Sequence, residues 1–95
     1  MNNIKNSRND ELFKAILSLK TVEECYDFFQ DLCTYKEIEA MSTRLEAAKL
    51  LSEGHTYEEI LKKIDISSAT LSRVSKCIKY GPGGYESVIN RMNKK

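Results

Sequence analysis

The sequence predicts an all-α protein of six helices in which the fourth and fifth form a helix-turn-helix, and three observations carry that prediction. Three stretches, TVEE (21–24), TYKE (34–37) and TYEE (56–59), have the form of a capping box. In such a box the threonine oxygen accepts a backbone N–H and the glutamate returns to the cap's own N–H, so each marks a helix start. Apolar residues between these boxes recur at three- and four-residue spacing. No stretch alternates apolar and polar residues in the manner of a half-buried strand.

Before the first box, NDELFKAILSL carries Leu12, Phe13, Ile16 and Leu17 on one stripe, which predicts a first helix over 8–19. The second, over 22–32, places Cys25, Phe28, Phe29 and Leu32 on one face, with Cys25 and Cys33 expected as ordinary core filling. The third and longest, over 35–52, has Ile38, Met41, Leu45, Ala48 and Leu51 in phase and Gly54 beyond its end as a stop. Alanines 40, 47 and 48 let a neighbouring helix approach closely. A short fourth helix runs over 57–64 and a fifth over 68–79. The run Gly81, Pro82, Gly83, Gly84 then breaks the chain before a last helix over 85–92. The expected organisation is one helical domain over 1–95, with dimerisation helices in 1–53, the helix-turn-helix in 56–80 and a C-terminal helix in 84–95.

At 95 residues a single core is marginal. The first two helices have apolar stripes to hide and few residues to hide them with, so an intertwined homodimer is the economical arrangement. Charge is segregated: residues 1–59 hold 7 Lys/Arg against 12 Asp/Glu, a net of −5, whereas residues 60–95 hold 8 against 2, a net of +6. A basic back half suits a polyanionic partner. Three cysteines (25, 33, 77) leave one unpaired under any intramolecular scheme, and no apolar leader precedes the charged start, so a reducing cytoplasm is expected. No apolar run is long enough for a membrane span. No C-x-x-C pair occurs and His55 is the only histidine, so neither a metal nor another cofactor is expected. Lacking a recognisable acid–base pair, the chain does not read as an enzyme. His55, after Gly54, reads as a solvated linker residue.

From Tyr57 the spacing becomes specific. In YEEILKKIDISSATLSRVSK, Ile60 and Ile64 face inward from one helix, Ile66 plugs a turn, and Leu71 and Val74 face inward from the next. That is the apolar skeleton of a helix-turn-helix. Ser67, Ser68, Ala69, Thr70, Ser72, Arg73 and Lys76 are then wet or face a ligand. Small residues near the start of a recognition helix let its backbone approach base edges, and hydroxyls can donate or accept there. Lys62, Lys63, Arg73, Lys76 and Lys79 could contact phosphates. Asp65 stands in the turn where glycine is usual, and aspartate tolerates the left-handed conformation. Spacing alone leaves two readings open: double-stranded DNA binding, and a protein-docking module that uses the helix pair as scaffold.

The stretch 31–79 resembles the DNA-binding half of the tryptophan repressor, and the chain as a whole is similar to the YerC/YecD branch of repressor-related proteins. STRLEAAKLLSEGHTYEEILKKI, SSATLSRVSKCIKYG and the exit KYGPGGY carry the resemblance. It implies six helices, an intertwined homodimer and operator binding through the second helix of the motif, hence a transcriptional regulator, most simply a repressor. It also maps Arg44 and Arg73 onto the two arginines that flank bound tryptophan. Two further pocket positions differ: Val74 replaces a glycine that opens the indole pocket, and Cys77 replaces a serine that helps hold the ligand's amino group. Tryptophan binding is therefore not expected from this remnant pocket. On the DNA side, Ala69, Thr70 and Ser72 match or nearly match, whereas Glu58 and Leu61 replace an arginine and a lysine.

Overall fold

The computed structural model describes residues 4–94 as six helices: α1 (Ser7–Leu17), α2 (Val22–Leu32), α3 (Tyr35–Ser52), α4 (Tyr57–Lys63), α5 (Ser68–Tyr80) and α6 (Gly84–Asn93). No strand occurs among the described residues. The helix count and order are those the sequence predicts. The chain forms two compact units, Met1–Tyr35 and Lys36–Lys95.

In the first unit, α1 starts where the Asn6 side chain accepts the Asn9 N–H at 2.7 Å. It stops at Leu17 rather than running to 19 because Ser18 closes it, donating its hydroxyl to the Ala15 carbonyl at 2.6 Å. α2 is capped by Thr21, whose Oγ1 accepts the Glu24 N–H at 3.0 Å. The return bond lies one residue upstream of the expected place: Glu24 Oε1 accepts the N–H of Lys20, at 2.8 Å. Phe28 and Phe29 meet edge to face with ring centroids 5.8 Å apart.

Neither α1 nor α2 has a buried residue within the single chain. Phe13 is 49% exposed, Leu17 83% and Tyr26 63%. Cys25 is exposed and Cys33 half-buried, so the expectation that they fill a core is corrected: the stripe they lie on is real, but the single chain does not cover it.

The second unit holds the core. Ala47 and Ala48 from α3, Ile60 from α4, Leu71 and Val74 from α5, and Ile89 from α6 are buried together. Leu45, Leu50, Leu51, Ile64, Ile66 and Tyr85 pack around them. Ala47 and Ala48 are both fully buried, and only a methyl projects from each. Met41, in phase with this face, is nonetheless 38% exposed.

Between α3 and α4 the chain turns at Gly54, whose φ of +93° favours glycine. Thr56 then completes a full capping box: its Oγ1 accepts the Glu59 N–H at 3.2 Å, and Glu59 Oε1 accepts the Thr56 N–H at 2.8 Å. His55 is not a solvated linker. Its side chain is half-buried, its Nε2 lies 3.7 Å from Glu53 Oε1, and its Nδ1 lies 3.6 Å from the capping Glu59 Oε1. A residue four before α4's capping glutamate is brought to that carboxylate by the turn, which the sequence spacing did not reveal.

The turn from α4 to α5 differs from expectation at Asp65. No described non-glycine residue has positive φ, so Asp65 is not left-handed. The chain instead reverses through a three-residue turn, in which the Ile66 N–H donates to the Ile64 carbonyl at 3.1 Å. Glycine is therefore not needed there. At the far end of α5, by contrast, a Cβ on Gly81 would collide with the Cys77 carbonyl oxygen that the Gly81 N–H binds.

The capping bond has a pH signature. The Thr56 N–H, chiefly, holds the Glu59 carboxyl below its ordinary 4.5, with desolvation opposing and the nearby His55 and Lys63 assisting. A carboxylate whose folded pKa is depressed adds stability that is fully present above its unfolded pKa and is lost as pH falls through the folded value. Glu59→Gln should therefore narrow the loss of stability between about pH 5 and the acid limit. Chemical unfolding of both proteins at a series of pH values checks this; parallel curves would contradict it.

Candidate nucleic-acid interface

Helix α5 has two unlike sides, and the periodicity of 3.6 residues separates them. Leu71, Val74 and Ser75 face the core, with Leu71 fully buried and Ser75 only 7% exposed. The opposite side carries Ala69, Arg73 and Lys76, all exposed. On the two flanks lie Ser68, Ser72 and Lys79, spaced by four and seven residues, and Thr70 and Cys77, spaced by seven.

The hydroxyls of α5 therefore do not act as one set. Ser75 belongs to the interior. Ser67 is the N-cap, its Oγ accepting the Thr70 N–H at 3.1 Å. Ser67 and Ser68 are exposed, while Thr70 and Ser72 are half-buried. A cap hydroxyl satisfies one of the N–H groups that begin a helix without an intrahelical acceptor, and it costs little space. The start of α5 is thus held firmly while its outer face stays narrow.

Both helices of the motif carry exposed cations. Lys62 and Lys63 occupy the last turn of α4, where a helix favours positive charge, and both are exposed. Lys76 and Lys79 are exposed along α5. On α4, Leu61 is 40% exposed, so the position where the resemblance loses a lysine presents an apolar side chain instead.

A hollow of about 400 Å³ opens beside the α4–α5 turn, lined by Lys36, Thr43 and Arg44 of α3 together with Asp65, Ser67 and Thr70. The four residues that the resemblance assigns to a remnant effector pocket are dispersed relative to it. Arg44 lines this hollow. Cys77 lines another, apolar one with Leu45, Pro82 and Tyr85. Val74 is 1% exposed inside the core, and Arg73 is exposed on the outer side of α5. Among the described residues, no group of three or more His, Cys, Asp or Glu side chains gathers to hold a metal ion, and no helix is long and apolar enough to cross a membrane.

Six helices with this turn define a helix-turn-helix protein, and the chain belongs to the Trp repressor family: the family model described as Trp repressor protein matches residues 7–93. YerC of Bacillus subtilis (strain 168), a protein of uncharacterised function, is 49% identical over 85 residues, spanning 90% of this chain and 82% of that protein. A Trp operon repressor homolog of Chlamydia caviae is 33% identical over 78 residues, spanning 81% of this chain and 77% of that one. The crystal structure of a TrpR-like protein from Eubacterium eligens ATCC 27750 superposes with a TM-score of 0.91 at 46% identity, covering 97% of both chains.

The two sides of α5 should separate in stability measurements. Leu71→Ala removes a fully buried side chain and should cost about 2–5 kcal/mol, whereas Lys76→Ala on the exposed side should stay within about 0.5 kcal/mol. Urea titration of both variants reads the difference. Equal costs would mean that α5 does not pack as described.

Proposed function

We propose that this chain is a sequence-specific DNA-binding transcriptional regulator, a repressor, that acts as a homodimer in the cytoplasm. The observation that carries the reading is the division of α5: its inner side is locked to the core, while its outer side and flanks offer small residues at the start and Arg73, Lys76 and Lys79 further on. The net charge of +6 over residues 60–95 supports it, as does family membership. A helix that carries no large side chains at its N-terminal outer face can bring its backbone near the floor of a major groove. Ser67, Ser68, Ala69, Thr70 and Ser72 are assigned to that approach. Lys62, Lys63, Arg73, Lys76 and Lys79 are assigned to the phosphates, which fix register but carry no sequence information. No catalytic step or cofactor enters this reading.

Binding titrations on a selected site and on random DNA, at two salt concentrations, test the assignment. Lys76→Ala should weaken binding to both DNAs alike and flatten the salt dependence. Ser72→Ala should cost about 1–3 kcal/mol on the selected site alone. If both variants leave both affinities unchanged while the protein stays folded, the helix pair is scaffold and the protein-docking reading takes its place.

The dimer follows from the open stripes of residues 1–53. Leu12, Phe13 and Leu32 are each at least 36% exposed, and covering one such side chain fully is worth about 1.5–3 kcal/mol. We expect a homodimer at micromolar concentration in sedimentation; a stable monomer would contradict it.

Tryptophan is not proposed as effector. Val74 is committed to the core, and Cys77 offers only a weak hydrogen-bonding group. Calorimetry should show no binding of L-tryptophan, and micromolar binding would overturn this exclusion.

A further inference from the structure

Tyr80 ends α5 with its side chain 83% exposed. A single exposed aromatic residue is ordinary on a protein surface. Its place on the helix is not. At 3.6 residues per turn, Ala69, Arg73, Lys76 and Tyr80 fall within a sector of about 60°, so Tyr80 continues the outer line of α5 to its end. All four are exposed.

That line is cationic and unpaired. From Ser68 to Tyr80 the helix carries Arg73, Lys76 and Lys79 and no acidic residue. None of these three cations forms an ion pair among the described residues, and the Tyr80 hydroxyl has no hydrogen-bond partner among them. A rise of about 1.5 Å per residue sets Tyr80 roughly 16 Å along the axis from Ala69. A major groove is about 8.5 Å deep. A helix that points its first residues at the bases therefore has its last turn at the rim, among the phosphates. The carbonyl end of a helix disfavours a phosphate, and Lys76 and Lys79 counter that. The Cys77 carbonyl is in addition already taken up by the Gly81 N–H, at 2.8 Å.

We infer that Tyr80 is a further DNA contact: its hydroxyl donates a hydrogen bond to a phosphate oxygen at the rim of the groove that the start of α5 enters. This rests on the DNA-binding reading proposed above. Tyrosine is among the side chains that bond phosphate oxygens and so fix register. Unlike the lysines, a phenol hydroxyl donates without bringing a positive charge, so it releases no counterion. Duplex DNA suits this face better than the same face of a second copy, because Arg73, Lys76 and Lys79 attract phosphates and would repel their own counterparts.

Tyr80→Phe, which removes only the hydroxyl, tests the contact. Affinity is measured on a selected site and on its single-base variants at several salt concentrations, with melting curves to confirm folding and sedimentation to follow the dimer. Affinity should fall by the same factor on every duplex, roughly two- to twentyfold. The slope of log affinity against log salt should stay at the wild-type value, whereas Lys76→Ala flattens it. The inference is overturned if Tyr80→Phe binds as tightly as the wild type, or if its loss is confined to particular base pairs. It is also overturned if Tyr80→Phe dissociates the dimer, which would make this face an interface between copies. A wild type that binds no DNA removes the DNA-binding reading and this inference together, whereas a wild type that binds alongside an unaffected Tyr80→Phe removes this inference alone.

Discussion

Everything that positions the outer face of α5 depends on the burial of Ile60, Leu71 and Val74 against the methyl groups of Ala47 and Ala48. Those contacts set the rotation of α5 about its own axis. With Leu71 and Val74 turned inward, a period of 3.6 residues leaves Ala69, Arg73 and Lys76 outside, whatever their individual preferences. The alanines matter because larger side chains would push α3 away and loosen that registration. Ile89 of α6 closes the same cluster from the other side, so the glycine-rich exit after α5 serves the core as well as the turn.

The local chemistry at the turns serves the same end. α4 has only 7 residues, too few to be stable on its own, and it is fixed at one end by the Thr56–Glu59 box and in its middle by Ile60. Ser67 does for α5 what Thr56 does for α4. One cap starts each helix of the motif, and the three-residue reversal that precedes Ser67 uses no glycine and no positive φ. The rigid part of the motif is therefore built from short-range hydrogen bonds laid on a few long-range apolar contacts.

Much of this could be read from the sequence because it is written in short-range signals. Threonine and glutamate three residues apart located the starts of α2, α3 and α4, and the apolar periods picked out Ile60, Leu71 and Val74. What could not be read depends on groups meeting across a turn. His55 looked like a linker residue because nothing in its neighbours' identities shows that Glu53 and Glu59 both reach its ring. Ser67 stood among the residues expected to be wet or to face a ligand, and its part in capping α5 through the Thr70 N–H emerged only from the fold. Cys25 looked buried because it lies on an apolar stripe, and a stripe records that a surface is meant to be covered without recording by what.

The central claim is that a symmetric pair of these helix-turn-helix units reads duplex DNA. Selection of bound duplexes from a random pool by the wild-type protein tests it most directly. Enrichment of a two-fold symmetric sequence is expected, with half-sites centred about one helical turn apart, roughly 34–36 Å. Recovery of no enriched sequence, at a salt concentration where the protein is folded, would contradict it.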